Sequence, residues 1–344
     1  MSEVIISGGA GFTGANFVDH YLREGSRVTV FDNLSRKGSL ENVSWLRQHP
    51  QASNLEIIVG DVRFPPAQLE TAIERADAFF HFAAQVAVTT SVTNPREDFE
   101  LNALGTFNML ELVRASKSKK PVFFFSSTNK VYGGMEDIAT VEGALAHAYR
   151  DFPEGIPENR ILDFHSPYGC SKGAADQYVR DYARIYDMPT VVFRQSCIYG
   201  YRQFGIEDQG WIAWFIIAAI LGRPITIYGD GKQVRDILFI EDLIEAYKSA
   251  WKHIDITAGK AYNVGGGPSN TISLHQLIDY LRTLGLEIDP TYSDWRPGDQ
   301  PVYISDIRKA SDQFGWQPKI EWQQGVKKLV DWVKDNRAML EELF

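Results

Sequence analysis

Residues 7–14 read Ser7-Gly8-Gly9-Ala10-Gly11-Phe12-Thr13-Gly14, between an apolar run, Glu3–Ser7, and a helical pattern, Phe12–Glu24. A glycine loop joining a strand to a helix is a phosphate cradle. Glycines at 8, 11 and 14 permit the tight turn, the close approach of backbone to a pyrophosphate, and close helix–strand contact. The helix start adds free N–H groups and a positive dipole end. The spacing is G-x-x-G-x-x-G, not the more frequent G-x-G-x-x-G, so the loop needs support from residues further along the chain.

The next apolar run, Arg27–Phe31, ends in Asp32, where an acidic side chain can accept both ribose hydroxyls of an adenosine. A carboxylate there repels a 2′-phosphate, which predicts NAD over NADP; Arg36 and Lys37, just beyond, are the counter-evidence. Gly60-Asp61-Val62 follows a third run, and Asp61 can accept the adenine amino group. His81-Phe82-Ala83-Ala84-Gln85 closes a fourth run with small residues that let a cofactor lie close. The predicted cofactor contacts are Gly8, Gly11, Phe12, Thr13, Gly14, Asp32, Asn33, Arg36, Asp61, Val62, Ala83, Ala84, Gln85, Asn102, Ser126, Tyr168 and Lys172.

Strands are expected at Glu3–Ser7, Arg27–Phe31, Leu55–Val59, Ala78–His81, Val122–Ser126 and Thr190–Arg194, apolar enough for a parallel sheet buried on both faces. Helices are expected at Phe12–Glu24, Pro66–Arg75, Asp98–Ser116 and Pro167–Tyr186. This alternation predicts an α/β fold, a Rossmann-type doubly wound parallel sheet. Beyond about Tyr199 the elements become shorter and mixed. Helices are expected at Trp211–Leu221, Ile240–Trp251, Ser273–Leu284 and Trp322–Asn336, with short strands at Ile225–Tyr228 and Ala261–Val264. The expected division is a dinucleotide-binding domain over 1–199, with contributions from later segments, and a smaller mixed α/β lobe over 200–344 that closes on the sheet's carboxyl edge.

Composition narrows the function. The chain has 344 residues and a net charge of −9, which argues against a nucleic-acid or anionic-membrane binder, since both need a basic face. Two cysteines, Cys170 and Cys197, make neither a disulfide framework nor a four-thiolate zinc site. The histidines have no metal-ligand spacing, so no metal is expected. With no signal-peptide pattern at the N-terminus and no membrane-length apolar run, a cytoplasmic location is expected.

Tyr168 and Lys172 stand four apart in Ser166-Pro167-Tyr168-Gly169-Cys170-Ser171-Lys172, on one face of a helix that Pro167 suits at its first turn. A free phenol, with pKa about 10, is a poor base at neutral pH. A neighbouring ammonium and a positive nicotinamide ring favour the phenolate. Thr128, in Ser126-Ser127-Thr128-Asn129-Lys130-Val131-Tyr132-Gly133 after the fifth run, can hold a substrate hydroxyl against Tyr168.

With these residues the chain resembles, over essentially its whole length, the extended short-chain dehydrogenases/reductases that act on nucleotide sugars. The resemblance implies Tyr168 as acid/base, Lys172 as the residue that orients the ribose and lowers the tyrosine pKa, and Thr128 as the holder of the reacting hydroxyl. The 4,6-dehydratases of that family carry an Asp-Glu pair directly after the catalytic threonine; here it is Asn129-Lys130, so water elimination lacks its acid and base. The wording is similar instead to the CDP-tyvelose, or CDP-paratose, 2-epimerase branch. The similar stretches are 84–87, Thr89-Thr90-Ser91, 199–204, 208–211 and 231–236. Thr13, at an often aliphatic position, and the long segment 134–165, whose form the sequence does not predict, are the departures.

The resemblance implies NAD⁺ taking hydride from C2 of the sugar, rotation of the 2-keto sugar, and return of hydride to the other face, with NAD tightly bound and regenerated each turnover. It implies a CDP-linked nucleotide sugar as partner and a homodimer through Asp98–Ser116 and Pro167–Tyr186. The expected substrate contacts are Gln85, Thr128, Gln195, Arg202, Gln209, Arg235, Arg296 and Asp299, with Arg235 and Arg296 on the diphosphate and Asp299 on the nucleoside ribose. A 4-epimerase acting on UDP- or GDP-sugars and a non-catalytic NAD sensor are the competing readings.

Overall fold

The apolar runs become strands because a sheet covered on both faces buries every side chain of its central members. In this computed structural model, which describes residues 2–296 and 299–344, β1 (Glu3–Ser7), β2 (Arg27–Asp32), β3 (Leu55–Val59), β4 (Ala78–His81) and β5 (Val122–Thr128) are parallel neighbours. Pro297 and Gly298, in the stretch read as a nucleotide-binding turn, lie outside the described residues. Strands β1 to β5 form, with Thr190–Gln195 and Lys260–Val264, a seven-stranded sheet in the order Lys260–Val264, Thr190–Gln195, β5, β4, β1, β2, β3. β1 lies between β2 and β4, with Ser7 opposite both Phe31 and His81. The chain therefore reverses direction across the sheet beside β1, at the topological switch point where open α/β sheets bind ligands.

The fold class is the one expected, with three local corrections. The short strand expected at Ala261–Val264, among the elements beyond Tyr199, is Lys260–Val264, the edge strand of the main sheet. The single helix expected over Asp98–Ser116 is Pro95–Phe99, a π-helical turn Glu100–Leu104 and Gly105–Ala115. Pro95 starts it early, and the Asn94 side chain caps it by accepting from Glu97 N. At the widened turn the Thr106 hydroxyl donates to the Asn102 carbonyl at 2.6 Å, and Gly105 presses so closely on Val62 that a Cβ there would stand 2.6 Å from it. β5 runs two residues beyond the expected Ser126, which makes Thr128 the end of a strand.

The chain forms two compact units. The first comprises Met1–Val131, Ser166–Arg194 and Tyr247–Tyr262. Its core is aromatic, and the strand register explains the stacking: Phe79 lies opposite Phe123 with ring centroids 5.3 Å apart, and Phe80 opposite Phe124 at 5.1 Å, the two pairs on opposite faces of the sheet.

The second unit comprises Tyr132–His165, Gln195–Ala246 and Asn263–Phe344. Strand Val234–Phe239 pairs in parallel with Cys197–Tyr199 and Val302–Tyr303, and antiparallel with Thr271–Ser273. The apolar helix Trp211–Leu221 is mostly buried, packing against Trp322–Asp335 and Arg337–Leu343. Segment 134–165 contains the hairpin Thr140–Glu142 and His147–Tyr149. Its His147 N donates to Lys232 O at 2.9 Å, and the His147 ring meets Asp230 at 2.8 Å. Among the described residues no helix is long and apolar enough to cross a membrane.

Candidate active site

The glycine loop has the geometry its composition suggests. Gly8 has φ of 71°, and a Cβ on it would stand 2.6 Å from Ala83 N, so a side chain is excluded twice over. Gly14, inside the helix Phe12–Arg23, lies against Gly8 O and Gly9 Cα, again without room for a Cβ. Phe12 and Thr13 begin that helix; its N-cap, Gly11, makes no side-chain cap and no acid stands in the first turn, so its leading N–H groups suit an anion. Asp32 accepts from Ala10 N at 3.0 Å and Leu34 N at 2.8 Å, which ties the carboxylate to the loop. Burial raises its pKa against those bonds. This cradle, closed to side chains and edged by one carboxylate, fits a dinucleotide.

Asp61 is held by Arg63 at 2.8 Å and by Asn33 at 3.2 Å, and the Arg63 hydrogen bond is the main reason its pKa falls to about 2. Val62 is buried against Gly105. Arg36 is exposed as a residue, yet burial of its guanidinium lowers its pKa while Asp32 and Tyr168 oppose that. Arg36, the first of the two basic residues that argued for NADP, thus interacts with the acidic reader and the phenol. Ala83 and Ala84 follow β4, and Gln85 N donates to Asn102 Oδ1 at 2.9 Å. The Ser126 hydroxyl donates to His81 O at 3.2 Å.

Thr128, Tyr168 and Lys172 are all buried in the same unit. The hydroxyl of Thr128, at the end of β5, accepts from Lys130 N at 3.2 Å and donates to Asn129 Oδ1 at 3.3 Å. Burial pushes the Tyr168 phenol up to about 12, against a hydrogen bond with Thr128 and the charge of Arg36. Lys172 carries its ammonium 4.2 Å from the Phe125 ring centroid. Burial lowers its pKa to about 7, opposed by Asp98 and Asp176. The lysine charge is therefore engaged by two carboxylates, while the groups acting on the phenol are Thr128, Asp98 and Arg36. A buried phenol beside a hydroxyl can exchange a proton with a third hydroxyl placed between them.

Sequence reading missed the polar groups behind this trio. Asp98 accepts from Ser171 Oγ at 2.5 Å, Gln85 Nε2 at 3.0 Å and Asn102 Nδ2 at 3.0 Å. Asp176 accepts from Ser127 Oγ at 2.8 Å and Arg194 Nε at 2.9 Å. His81 bridges Ser7 Oγ at 2.6 Å and Thr106 Oγ1 at 3.0 Å, and burial lowers its pKa to about 3. The sequence signals were Gln85 and Asn102, expected at the cofactor, and Ser171 and Asp176 within the tyrosine–lysine helix, without any indication of their carboxylate or arginine partners.

The remaining substrate candidates lie in the second unit. Arg235, buried in strand Val234–Phe239, donates to Asp299 Oδ1 at 2.5 Å. Arg296 stands 4.0 Å from the Tyr228 ring centroid and donates to Asp208 at 3.0 Å and Glu207 O at 3.2 Å. Gln195 ends its strand, Arg202 has a φ of 59°, and Gln209 bridges Ile206 through paired backbone bonds of 2.9 Å.

Fold, glycine loop and tyrosine–lysine helix together define a short-chain dehydrogenase/reductase. The chain belongs to the GDP-mannose 4,6 dehydratase family, whose model matches residues 5–329. It is 44% identical over 338 residues to the CDP-paratose 2-epimerase of Salmonella typhi, covering 96% of this chain and 98% of that protein. It is 31% identical to a putative UDP-glucose 4-epimerase of Methanocaldococcus jannaschii, covering 97% of this chain and 99% of that one. Among solved structures, the dTDP-glucose 4,6-dehydratase of Bacillus anthracis in complex with NAD superimposes with a TM-score of 0.81 at 28% identity, covering all of both chains. The protein is an enzyme of the NAD-dependent nucleotide-sugar epimerase and dehydratase class.

Proposed function

We propose that the protein epimerises C2 of a CDP-linked sugar of the paratose and tyvelose type. The observation that carries this is the pair Asn129-Lys130 directly after Thr128, in a chain 44% identical to a CDP-paratose 2-epimerase. An amide and an ammonium in those places supply neither the acid nor the base of a dehydration.

In this reading Thr128 holds the C2 hydroxyl, and Tyr168 removes its proton and later returns one. Lys172 orients the cofactor ribose and favours the phenolate. Bound NAD supplies the redox chemistry, accepting hydride from the sugar carbon and giving it back, so it leaves each turnover as it entered and stays with the protein. The loop Gly8–Gly14, Asp32, Asn33, Arg36, Asp61, Val62, Ala83, Ala84, Gln85, Asn102 and Ser126 are assigned to holding it. Arg235 and Arg296 are assigned to the diphosphate and Asp299 to the nucleoside ribose, with Gln195, Arg202 and Gln209 as further contacts. Residues 1–199 mainly serve the cofactor and 200–344 the nucleotide sugar.

The test is a product assay over CDP-, GDP- and UDP-sugars with C2- and C4-deuterated substrates. A primary isotope effect at C2 with a CDP-sugar is expected. An effect at C4 alone would replace this reading with a 4-epimerase, the activity in the name of the Methanocaldococcus relative. A homodimer forms part of the proposal, supported by Phe99, Phe107, Tyr178 and Ile185 standing exposed on the two helical stretches expected to pair. Sedimentation giving a monomer would remove it.

A further inference from the structure

Asp98 is 1% exposed, and a carboxylate so buried needs partners for both oxygens. Oδ2 accepts from Ser171 at 2.5 Å, and Oδ1 from Gln85 and Asn102 at 3.0 Å each. These donors come from three places: the segment after β4, the π-helical turn, and the helix of Tyr168 and Lys172. Ser171 precedes Lys172, and Asn102 Nδ2 also reaches Ser171 Oγ at 3.1 Å. All four residues lie in the first unit.

From this geometry we propose that Asp98 is a positioning residue for the reaction, the fixed buried counter-charge that keeps Lys172 protonated and locks the lysine's helix to the Gln85 segment. The inference rests on the catalytic reading given to Lys172 above. Burial raises the Asp98 pKa, opposed by the hydrogen bonds from Ser171, Gln85 and Asn102 and by the Lys172 charge; in a low-dielectric site the carboxylate's charge acts at longer range than in water. The widened turn at Glu100–Leu104 has a physical role in this account, because it presents the side chain of Asn102 to Asp98, Ser171 and Gln85 together.

The groups acting on Lys172 are Asp98; Asp176 one turn on, itself paired with Arg194 and bonded to Ser127; His81 of β4; and the Phe125 ring of β5. Asp176 is already compensated by Arg194 at 2.9 Å. His81 is neutral, since burial lowers its pKa to about 3. Among the described residues Asp98 has no cation within ion-pair distance, which leaves its charge to act on the lysine. The same charge disfavours the Tyr168 phenolate, so the benefit to catalysis runs through Lys172.

The experiment is a pH titration of the purified protein with its lysines ¹³C-labelled at Cε, the Lys172 resonance assigned by its loss in Lys172→Arg. In Asp98→Asn the Lys172 midpoint should fall by about one pH unit or more. The alkaline limb of kcat should fall with it while KM stays near the wild-type value. Ser171→Ala removes the shortest donor to Asp98, favours the protonated carboxyl, and should move the midpoint the same way by less. An unmoved midpoint in folded Asp98→Asn, with kcat lowered equally at all pH, would make the residue merely structural and overturn the proposal. If Asp98→Asn does not fold, Ser171→Ala decides alone, and an unmoved midpoint there overturns it. The titration needs no turnover, so failure of the C2-epimerase reading and failure of this one are told apart.

Discussion

Arg194 and Asp176 form an ion pair at 2.9 Å in which the side chains are 2% and 0% exposed. It joins strand Thr190–Gln195 to the helix of Tyr168 and Lys172, and Ser127 of β5 donates to the same carboxylate at 2.8 Å. Removing one partner leaves the other buried and uncompensated. Arg194→Met should therefore destabilise the protein by about 3–5 kcal/mol, read in urea unfolding. The double variant Arg194→Met/Asp176→Leu should recover much of that loss, and a double as unstable as the single would contradict this account.

The glycine positions should separate cofactor binding from folding. A methyl group at Gly8 meets Ala83 N at 2.6 Å in a left-handed backbone, so Gly8→Ala should be purified with little or no NAD and lose turnover. Gly25 has open space around its Cβ position, so Gly25→Ala meets only the strain of its φ of 78°. It should cost about 1 kcal/mol and retain the nucleotide. Denaturation followed by chromatography of the released nucleotide reads both.

Tyr168→Phe removes the proton carrier and little else, because the ring stays. Turnover should fall by about 10²–10⁴-fold while bound NAD is retained. Unchanged turnover would take the acid/base role from Tyr168.

Arg235→Ala should weaken substrate binding more than chemistry. It removes a donor proposed for the diphosphate and frees Asp299, now unpaired, to repel the same group. KM for the nucleotide sugar should rise by about tenfold or more, the loss expected for a hydrogen bond to a charged group. A fall in kcat at constant KM would place Arg235 elsewhere in the mechanism.

His81 predicts an acid-side stability slope. Its pKa falls from the ordinary 6.5 to about 3 because it is buried, so the unfolded chain binds the proton more readily. The stability it contributes is present above pH about 6.5 and is lost progressively as pH drops from there towards about 3. His81→Gln should flatten thermal stability against pH across that window, and an unchanged slope would assign the acid sensitivity to other groups.

Local pattern was enough for much of the fold. The strands Glu3–Ser7 and Ala78–His81 match their expected bounds, because a strand buried on both faces reads as an apolar run, and the half-exposed edge strand Leu55–Val59 matches as well. The continuous helix over Asp98–Ser116 was the failure. Nothing in the periodicity reveals that Thr106 bonds back to the Asn102 carbonyl and that Gly105 packs on Val62, and these contacts accompany the widened turn.

Local sequence was enough for the glycine loop and the carboxylate at its edge, since glycine at 8 and 14 and an acid at 32 belong to one short strand–turn–helix–strand unit. It also set Tyr168 and Lys172 on one helix face through their spacing. Only the tertiary structure placed Lys260–Val264 at the sheet edge, paired Asp176 with Arg194, and brought Asp98 to Ser171 across 73 residues of chain. Those relationships depend on strand order and on which buried polar groups meet. Local propensity carries no information about a partner that chain distance hides and only burial makes obligatory.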